Sequence, residues 1–109
     1  MLRDILLEIA NQVELKGSCS SIVDVVDELA AQKNLYGQRV CISSKTKQPV
    51  VRINSQGARR STNWHEAWYH RDGFIVDPDS VSKVYPSDKY KEECFENSED
   101  LLIELVEES

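Results

Sequence analysis

The hydrophobic periodicity of this chain changes once, and this change constrains the fold more than any other sequence feature. Up to Ala30, apolar side chains recur at steps of three and four residues, as on one face of an α-helix. From Gln38 onward they recur at every second position, as in strands with one buried face. Helices that precede a run of strands are typical of an α+β domain with helices packed on a small antiparallel sheet.

Two helices are predicted in the N-terminal third, with a break between them at residues 16–17. The first covers residues 2–14. Ser18 is predicted to cap the second, because its hydroxyl can accept a hydrogen bond from a free backbone N–H group. Asn34 and Gly37 are stop signals for that helix. The apolar stripes comprise Leu2, Ile5, Leu6, Ile9 and Val13 in the first helix and Ile22, Val25, Val26, Leu29 and Ala30 in the second.

Strands are predicted at residues 38–44, 49–54, 62–70 and 74–77. The last two form the clearest hairpin, because the turn-forming residues 71–73 separate them. Trp64, Trp68, Phe74 and Val76 are predicted to share the buried face of this hairpin.

A last helix is predicted near the C-terminus, beginning after Asn97 or Ser98. The acidic residues Glu99 and Asp100 suit the positive end of its dipole. Its buried side would consist of Leu101, Leu102, Leu105 and Val106. No internal repeat or linker interrupts residues 1–109, which are therefore predicted to form a single domain.

Charge and composition exclude several classes of protein. The net charge of −6 disfavours general nucleic-acid binding, because an acidic surface repels phosphates. No apolar stretch approaches the roughly 20 residues that a membrane span needs. The N-terminus has no signal-peptide pattern, so the protein is predicted to be cytoplasmic, or delivered or secreted without a signal peptide. The basic residues between Lys45 and Arg60 suit a solvated loop, an acidic partner or an acidic substrate.

The cysteines indicate a reduced protein with at least one free thiol. Cys19, Cys41 and Cys94 are odd in number and lack the CxxC spacing of metal sites and redox motifs. The two histidines, His65 and His70, complete no zinc pattern with them. No Gly-rich phosphate loop is present, and neither a metal nor a cofactor is expected.

Cys19 is the candidate nucleophile. It lies in the first turn of the predicted second helix, where free N–H groups and the helix dipole stabilise an anion. A thiol placed there can have its pKa lowered to between roughly 3.5 and 7.5. Cys41 and Cys94 have no basic neighbour in the sequence and are predicted to be small buried residues.

His65 and Asp77 are the candidate base and orienting carboxylate, and the hairpin register decides whether they meet. A three-residue loop at residues 71–73 pairs Tyr69 with Ile75 and places His65 and Asp77 on one face as diagonal neighbours. A two-residue Asp-Gly loop would shift the pairing by one residue and place them on opposite faces. The three-residue loop separates the aromatic residues more cleanly, although the sequence leaves both registers open.

Three segments in this order resemble the papain-like and transglutaminase-like superfamily of cysteine hydrolases. They are residues 17–19, Gly-Ser-Cys; residues 64–68, Trp-His-Glu-Ala-Trp; and residues 73–78, Gly-Phe-Ile-Val-Asp-Pro. The resemblance covers residues 12–80, and the short chain also looks like papain-fold toxin domains of bacterial polymorphic toxin systems. Glu66 departs from the pattern, because it separates the histidine from Ala-Trp by one residue.

The resemblance implies a minimal papain-like fold and a Cys-His-Asp triad that attacks amide bonds. Cys19 would be the nucleophile, His65 the base and Asp77 the orienter, while Gln12 is the weak candidate for an oxyanion-stabilising glutamine. The reaction would be peptide cleavage, side-chain deamidation or acyl transfer on a protein or peptide substrate. As a toxin or effector, such a protein would also have an immunity partner.

A second function class stays open at the level of sequence. The chain can instead be a non-catalytic protein-binding module of the immunity or inhibitor type on the same fold. In that case Cys19 would be buried and distant from His65. In a catalytic protein, Cys19, His65 and Asp77 would converge in a partly open groove.

Overall fold

A computed structural model describes residues 1–106 of the chain. Its helices are α1 (Leu2–Gln12), α2 (Cys19–Ala31) and α3 (Tyr90–Cys94), with one 3-10 turn at Ser98–Asp100. Its strands are β1 (Gly37–Ser44), β2 (Val50–Ile53), β3 (Arg59–Thr62), β4 (His65–His70), β5 (Phe74–Val76), β6 (Val84–Pro86) and β7 (Leu101–Leu105). No helix within residues 1–106 is long and apolar enough to cross a membrane.

Five strands form one antiparallel sheet in the order β6-β5-β4-β1-β7, and β2 and β3 form a separate two-stranded sheet. The predicted α+β class with an antiparallel sheet is therefore confirmed. Helices α1 and α2 pack on one face of the large sheet, around Trp68 and Val76. The other face carries a second core with α3, built around Ala67, Ile75 and Tyr90. Both faces of the sheet are covered, which explains why β4 alternates between two buried surfaces.

The β4–β5 hairpin has the three-residue loop and the register that places His65 and Asp77 on one face. Tyr69 pairs with Ile75, and the Gly73 N–H donates to the His70 carbonyl at 2.9 Å. Gly73 has a φ of +96°, a conformation that a side chain would strain. This turn fixes the register of the hairpin. The register in turn determines on which face of the sheet each side chain of β5 lies.

The predicted C-terminal helix is wrong. Ser98–Asp100 forms only a 3-10 turn, and Leu101–Leu105 is the edge strand β7, paired antiparallel with β1. A segment of five residues is too short to form a stable helix by itself. As a strand, it instead forms backbone hydrogen bonds with the free edge of β1. Leu101 and Ile103 alternate toward the second core, which is the period of a strand.

Trp64 also differs from its predicted place in the core. It lies between β3 and β4, outside the paired residues, and is 45% exposed. The three other residues of the predicted buried face, Trp68, Phe74 and Val76, do pack against the helices. The predicted strand over residues 62–70 is in fact two strands, since Thr62 ends β3 and His65 begins β4.

Candidate functional site

His65 and Asp77 form a buried hydrogen-bonded pair. The Nε2 atom of His65 lies 2.9 Å from Oδ2 of Asp77, and the two residues are 3% and 4% exposed. His65 is the first residue of β4, and Asp77 follows the last residue of β5. The hairpin register therefore brings together two side chains that are twelve residues apart in the sequence.

Three further contacts hold the Asp77 carboxylate and its backbone. The Tyr90 hydroxyl donates to the same Oδ2 atom at 2.7 Å, from a fully buried position in α3. The Ser80 hydroxyl donates to the Asp77 carbonyl at 2.5 Å, and the Asp77 N–H donates to the Lys83 carbonyl at 2.8 Å. Asp77 can therefore orient His65 without rotating away, as the third group of a catalytic triad must.

Cys19 is the first residue of α2 and is partly exposed. Its helix is capped by Ser18, whose side chain accepts a hydrogen bond from the Ser21 N–H at 3.2 Å. Burial raises the pKa of the Cys19 thiol, but a hydrogen bond to His65, the charge of His65 and a hydrogen bond to the backbone of Glu66 together lower it. Because Nε2 of His65 binds Asp77, Nδ1 is the ring nitrogen left for the thiol.

The other two thiols are not activated. Burial, and then the nearby charges of Glu66 and Glu104, raise the pKa of Cys41. Burial also raises the pKa of Cys94, to about 12. Of the three cysteines, Cys19 alone has a lowered pKa, and it is the one at a helix N-terminus beside a histidine.

His65 is held in its protonated form near neutral pH. Burial lowers the pKa of His65, but the charge and hydrogen bond of Asp77, followed by the hydrogen bond of Cys19, raise it to about 9. The nearby positive charge of Arg52 opposes this rise in part. A histidine with a raised pKa beside a thiol with a lowered pKa favours a thiolate–imidazolium pair.

Arg39 anchors the first turn of α2 to the sheet. From β1, its Nη1 atom donates to the Ser20 carbonyl and to the Glu66 carboxylate, each at 3.1 Å. Its Nη2 atom forms an ion pair with Asp24, one turn further along α2. These contacts join α2, β1 and β4 at the point where Cys19 meets His65, so Arg39 is a positioning residue for the thiol.

Two cavities meet at Cys19 and His65. A small polar cavity of about 80 Å³ lies on one side, and an open groove of about 420 Å³ lies on the other. Both share Cys19, His65 and Arg52. The small cavity is also lined by Leu15, Gly17, Ile22, Glu66, Asp77 and Asp79. The groove is also lined by Ser18, Arg60, Ser61, Thr62, Asn63 and Trp64.

The backbone N–H groups of Cys19 and Ser20 are available to an oxyanion, because the first N–H groups of a helix have no intrahelical acceptor. Gln12, the residue suggested for this role from the sequence, is the exposed last residue of α1. It lines neither cavity at Cys19. The structure therefore brings Cys19, His65 and Asp77 together and leaves Gln12 outside the site.

Three residues of the site were not singled out from the sequence for any such role: Tyr90, Arg39 and Arg52. Tyr90 lies in a segment for which no helix or strand was predicted. Arg39 reaches the site through the pairing of β1 with β4, and Arg52 through its contacts with Asp79. A partial signal existed for Arg39, which alternates with the buried residues Val40 and Ile42 in β1.

Replacing Tyr90 with phenylalanine is expected to lower the free energy of unfolding by about 1.5–3 kcal/mol, the range for a hydrogen bond to a charged group. The ring still fills its place in the core, but Asp77 loses one of its two side-chain donors. Urea unfolding measures the change. Tyr85→Phe is the matched control, because its hydroxyl accepts from the Ser82 N–H and does not touch Asp77. Equal losses for the two variants would contradict a specific role for Tyr90.

No group of three His, Cys, Asp or Glu side chains in the described part of the chain can hold a metal ion. We compared the chain with models of known protein families, with curated proteins and with solved structures, and none of the three comparisons found a match.

Proposed function

We propose that this protein is a thiol-dependent hydrolase or acyltransferase that acts on amide bonds of a protein or peptide substrate. One observation carries the proposal: Cys19, the cysteine with the lowered pKa, lines the same groove as His65, and the buried carboxylate of Asp77 orients this histidine. A thiol, a base and an orienting carboxylate are the parts that nucleophilic attack on an amide requires. The resemblance to the papain-like and transglutaminase-like superfamily, with the same order of residues, supports it further.

In the proposed mechanism, the Cys19 thiolate attacks the substrate carbonyl carbon and a C–S bond forms. The negative charge that develops on oxygen is stabilised by the N–H groups of Cys19 and Ser20 at the start of α2. Protonated His65 gives its proton to the leaving amine, and the C–N bond breaks to leave a thioester. Water or a second amine then attacks the thioester while His65 takes up its proton, and the thiolate is restored.

The arrangement of Cys19 supports this proposal over the non-catalytic binding module. A structural cysteine would be buried and distant from His65, whereas Cys19 is partly exposed and lines an open groove together with His65. Groups with perturbed pKa values in a cleft are typical of functional sites. Structural ion pairs also perturb pKa values, so the stronger support is that Cys19 and His65 line the same two cavities.

The reaction is expected to have a bell-shaped pH profile. Activity rises with pH as Cys19 ionises, with its midpoint below the ordinary thiol pKa of 9.0, because the folded pKa is lowered. It falls again as His65 loses its proton at about 9, because His65 then has no proton for the leaving amine. Rates of amide hydrolysis on a peptide library across pH measure the profile. A rate that rises steadily through pH 9, as for a simple thiol, would contradict the proposal.

The three proposed reactions differ in their products. Peptide cleavage creates a new amino terminus, deamidation of a glutamine side chain releases ammonia, and acyl transfer incorporates an added primary amine. Incubation of peptide pools with the protein and a fluorescent amine, followed by mass spectrometry and an ammonia assay, separates them. The matched control is Cys19→Ala, which keeps the fold of α2 and removes the nucleophile. Products that form equally with Cys19→Ala would contradict the proposal.

A further inference from the structure

Two arginines face each other beside the groove that contains Cys19. Arg52 on β2 pairs directly with Arg60 on β3, and both line the groove. Directly opposed residues of an antiparallel pair project from the same face, so the two side chains leave the sheet on the same side. Like charges that are directly opposed in this way destabilise the strand pair. A bound anion beside them would reduce this repulsion.

The two charges are compensated unequally. The Arg52 guanidinium donates to the Asp79 carboxylate at 2.8 Å and to the Asp79 carbonyl at 3.0 Å, and it is mostly buried. Neighbouring Arg59 forms an ion pair with Glu96. Arg60 is exposed, and no carboxylate within residues 1–106 lies within 4.0 Å of it. In a chain of net charge −6, this places an uncompensated cation on the wall of the groove.

The same wall can hold an extended peptide. Within residues 1–106, β3 pairs only with β2, and the groove is lined by β3 residues and by the segment that follows them. A strand with an unpaired edge can receive an extended peptide through backbone hydrogen bonds. Trp64, at the far end of this segment, exposes its ring to the groove and can cover the aliphatic part of a bound side chain.

We propose that the groove selects peptides with an acidic side chain next to the amide that Cys19 attacks, and that Arg60 binds this carboxylate. The inference rests on the proposed function, since it names the substrate class of the same site. The charge of Arg52 is already balanced by Asp79, so Arg60 on β3 supplies the positive charge that binds the substrate carboxylate. The substrate is thus a glutamate- or aspartate-containing segment in extended conformation.

A pair of alkylating peptides tests this inference. Bromoacetyl-glutamate amide and bromoacetyl-glutamine amide differ by a single charge, and each reacts by forming a C–S bond to Cys19 and releasing bromide. The ratio of their rates cancels any change in the reactivity of the thiol itself. We expect the glutamate reagent to react roughly three to five times faster with the wild type, the upper range for a solvent-exposed charge pair. In Arg60→Gln we expect the ratio to fall to about one.

Arg59→Gln is the matched control, because it removes the same charge from the adjacent residue, whose side chain pairs with Glu96 and does not line the groove. It is expected to keep the wild-type ratio. A ratio that is equal in the Arg59 and Arg60 variants, or a wild-type ratio of one, would overturn the inference. Failure of the proposed function has a different signature: both reagents would react with Cys19 no faster than with an ordinary thiol.

Discussion

Replacing His65 with alanine is expected to slow alkylation of Cys19 by roughly 30-fold or more at about pH 6, where an ordinary thiol is almost fully protonated. In the wild type, the hydrogen bond and positive charge of His65 lower the pKa of Cys19 and keep a larger fraction as thiolate. Without the imidazole, burial raises the pKa of the thiol with less to oppose it. Iodoacetamide labelling followed by mass spectrometry of the Cys19 peptide measures the rate.

The chain offers a matched control on the same strand. His70 is the last residue of β4 and is also buried, but its ring accepts a hydrogen bond from the Asp72 N–H at the hairpin turn. His70→Ala is therefore expected to label like the wild type wherever the fold is kept. His65→Gln retains more side-chain volume than His65→Ala, so it tests the same prediction if the alanine variant does not fold. Labelling that is equally fast in the wild type and both His65 variants would contradict the thiolate–imidazolium pair.

Replacing Asp77 with alanine is expected to lower the free energy of unfolding by about 3–5 kcal/mol, because it leaves a buried imidazole and a buried hydroxyl without their acceptor. His65 Nε2 and the Tyr90 hydroxyl both point at Asp77 Oδ2. Burial then lowers the pKa of His65, and alkylation of Cys19 slows as it does in His65→Ala. Urea unfolding and iodoacetamide labelling measure the two effects.

The loss of stability in Asp77→Ala is expected to depend on pH, with a definite sign. The folded pKa of His65, about 9, lies above the ordinary histidine pKa of 6.5. The contribution of the His65–Asp77 pair is therefore complete below about pH 6.5 and is lost as the pH rises through about 9. The difference between the wild type and Asp77→Ala should be largest at low pH within the stable range. A difference that grows with pH would contradict the account.

Asp77→Asn separates the charge of the carboxylate from its shape. The amide oxygen can still accept from the Tyr90 hydroxyl, so the loss of stability should be smaller than for Asp77→Ala. The negative charge that raises the pKa of His65 is gone, and labelling of Cys19 should be as slow as in Asp77→Ala. Rapid labelling in Asp77→Asn would show that hydrogen bonding alone maintains the pair.

The predictable parts of this fold depend on local chemistry. The N-terminal helices follow from their apolar stripes and from the Ser18 cap, and the observed β4–β5 register is the preferred one of the two that the sequence left open. The prediction of a C-terminal helix was wrong because Leu101–Leu105 is so short that its apolar residues fit the period of a helix and that of a strand equally well. The open edge of β1, about 60 residues earlier in the chain, decides between them, and no local pattern records it.

The residues of the candidate site also divide into those that local sequence patterns predict and those that depend on contacts between distant segments. Cys19 could be selected from the sequence because it lies at a helix start, and His65 and Asp77 because the preferred hairpin register places them on one face. Tyr90 and Arg39 could not, because their contacts depend on where α3 and β1 lie relative to the hairpin. The selection of Gln12 used sequence proximity to Cys19, whereas α1 ends in a different direction and leaves that side chain in solvent.

The ionisation state of Cys19 tests the central claim most directly. A thiolate absorbs ultraviolet light that a thiol does not, so the absorbance of the wild type minus that of Cys19→Ala, followed across pH, reports this one group. We expect the titration midpoint to lie clearly below the ordinary thiol pKa of 9.0, and to move upward in His65→Ala. A midpoint at or above 9.0 in the wild type would contradict the thiolate–imidazolium pair and the proposed function with it.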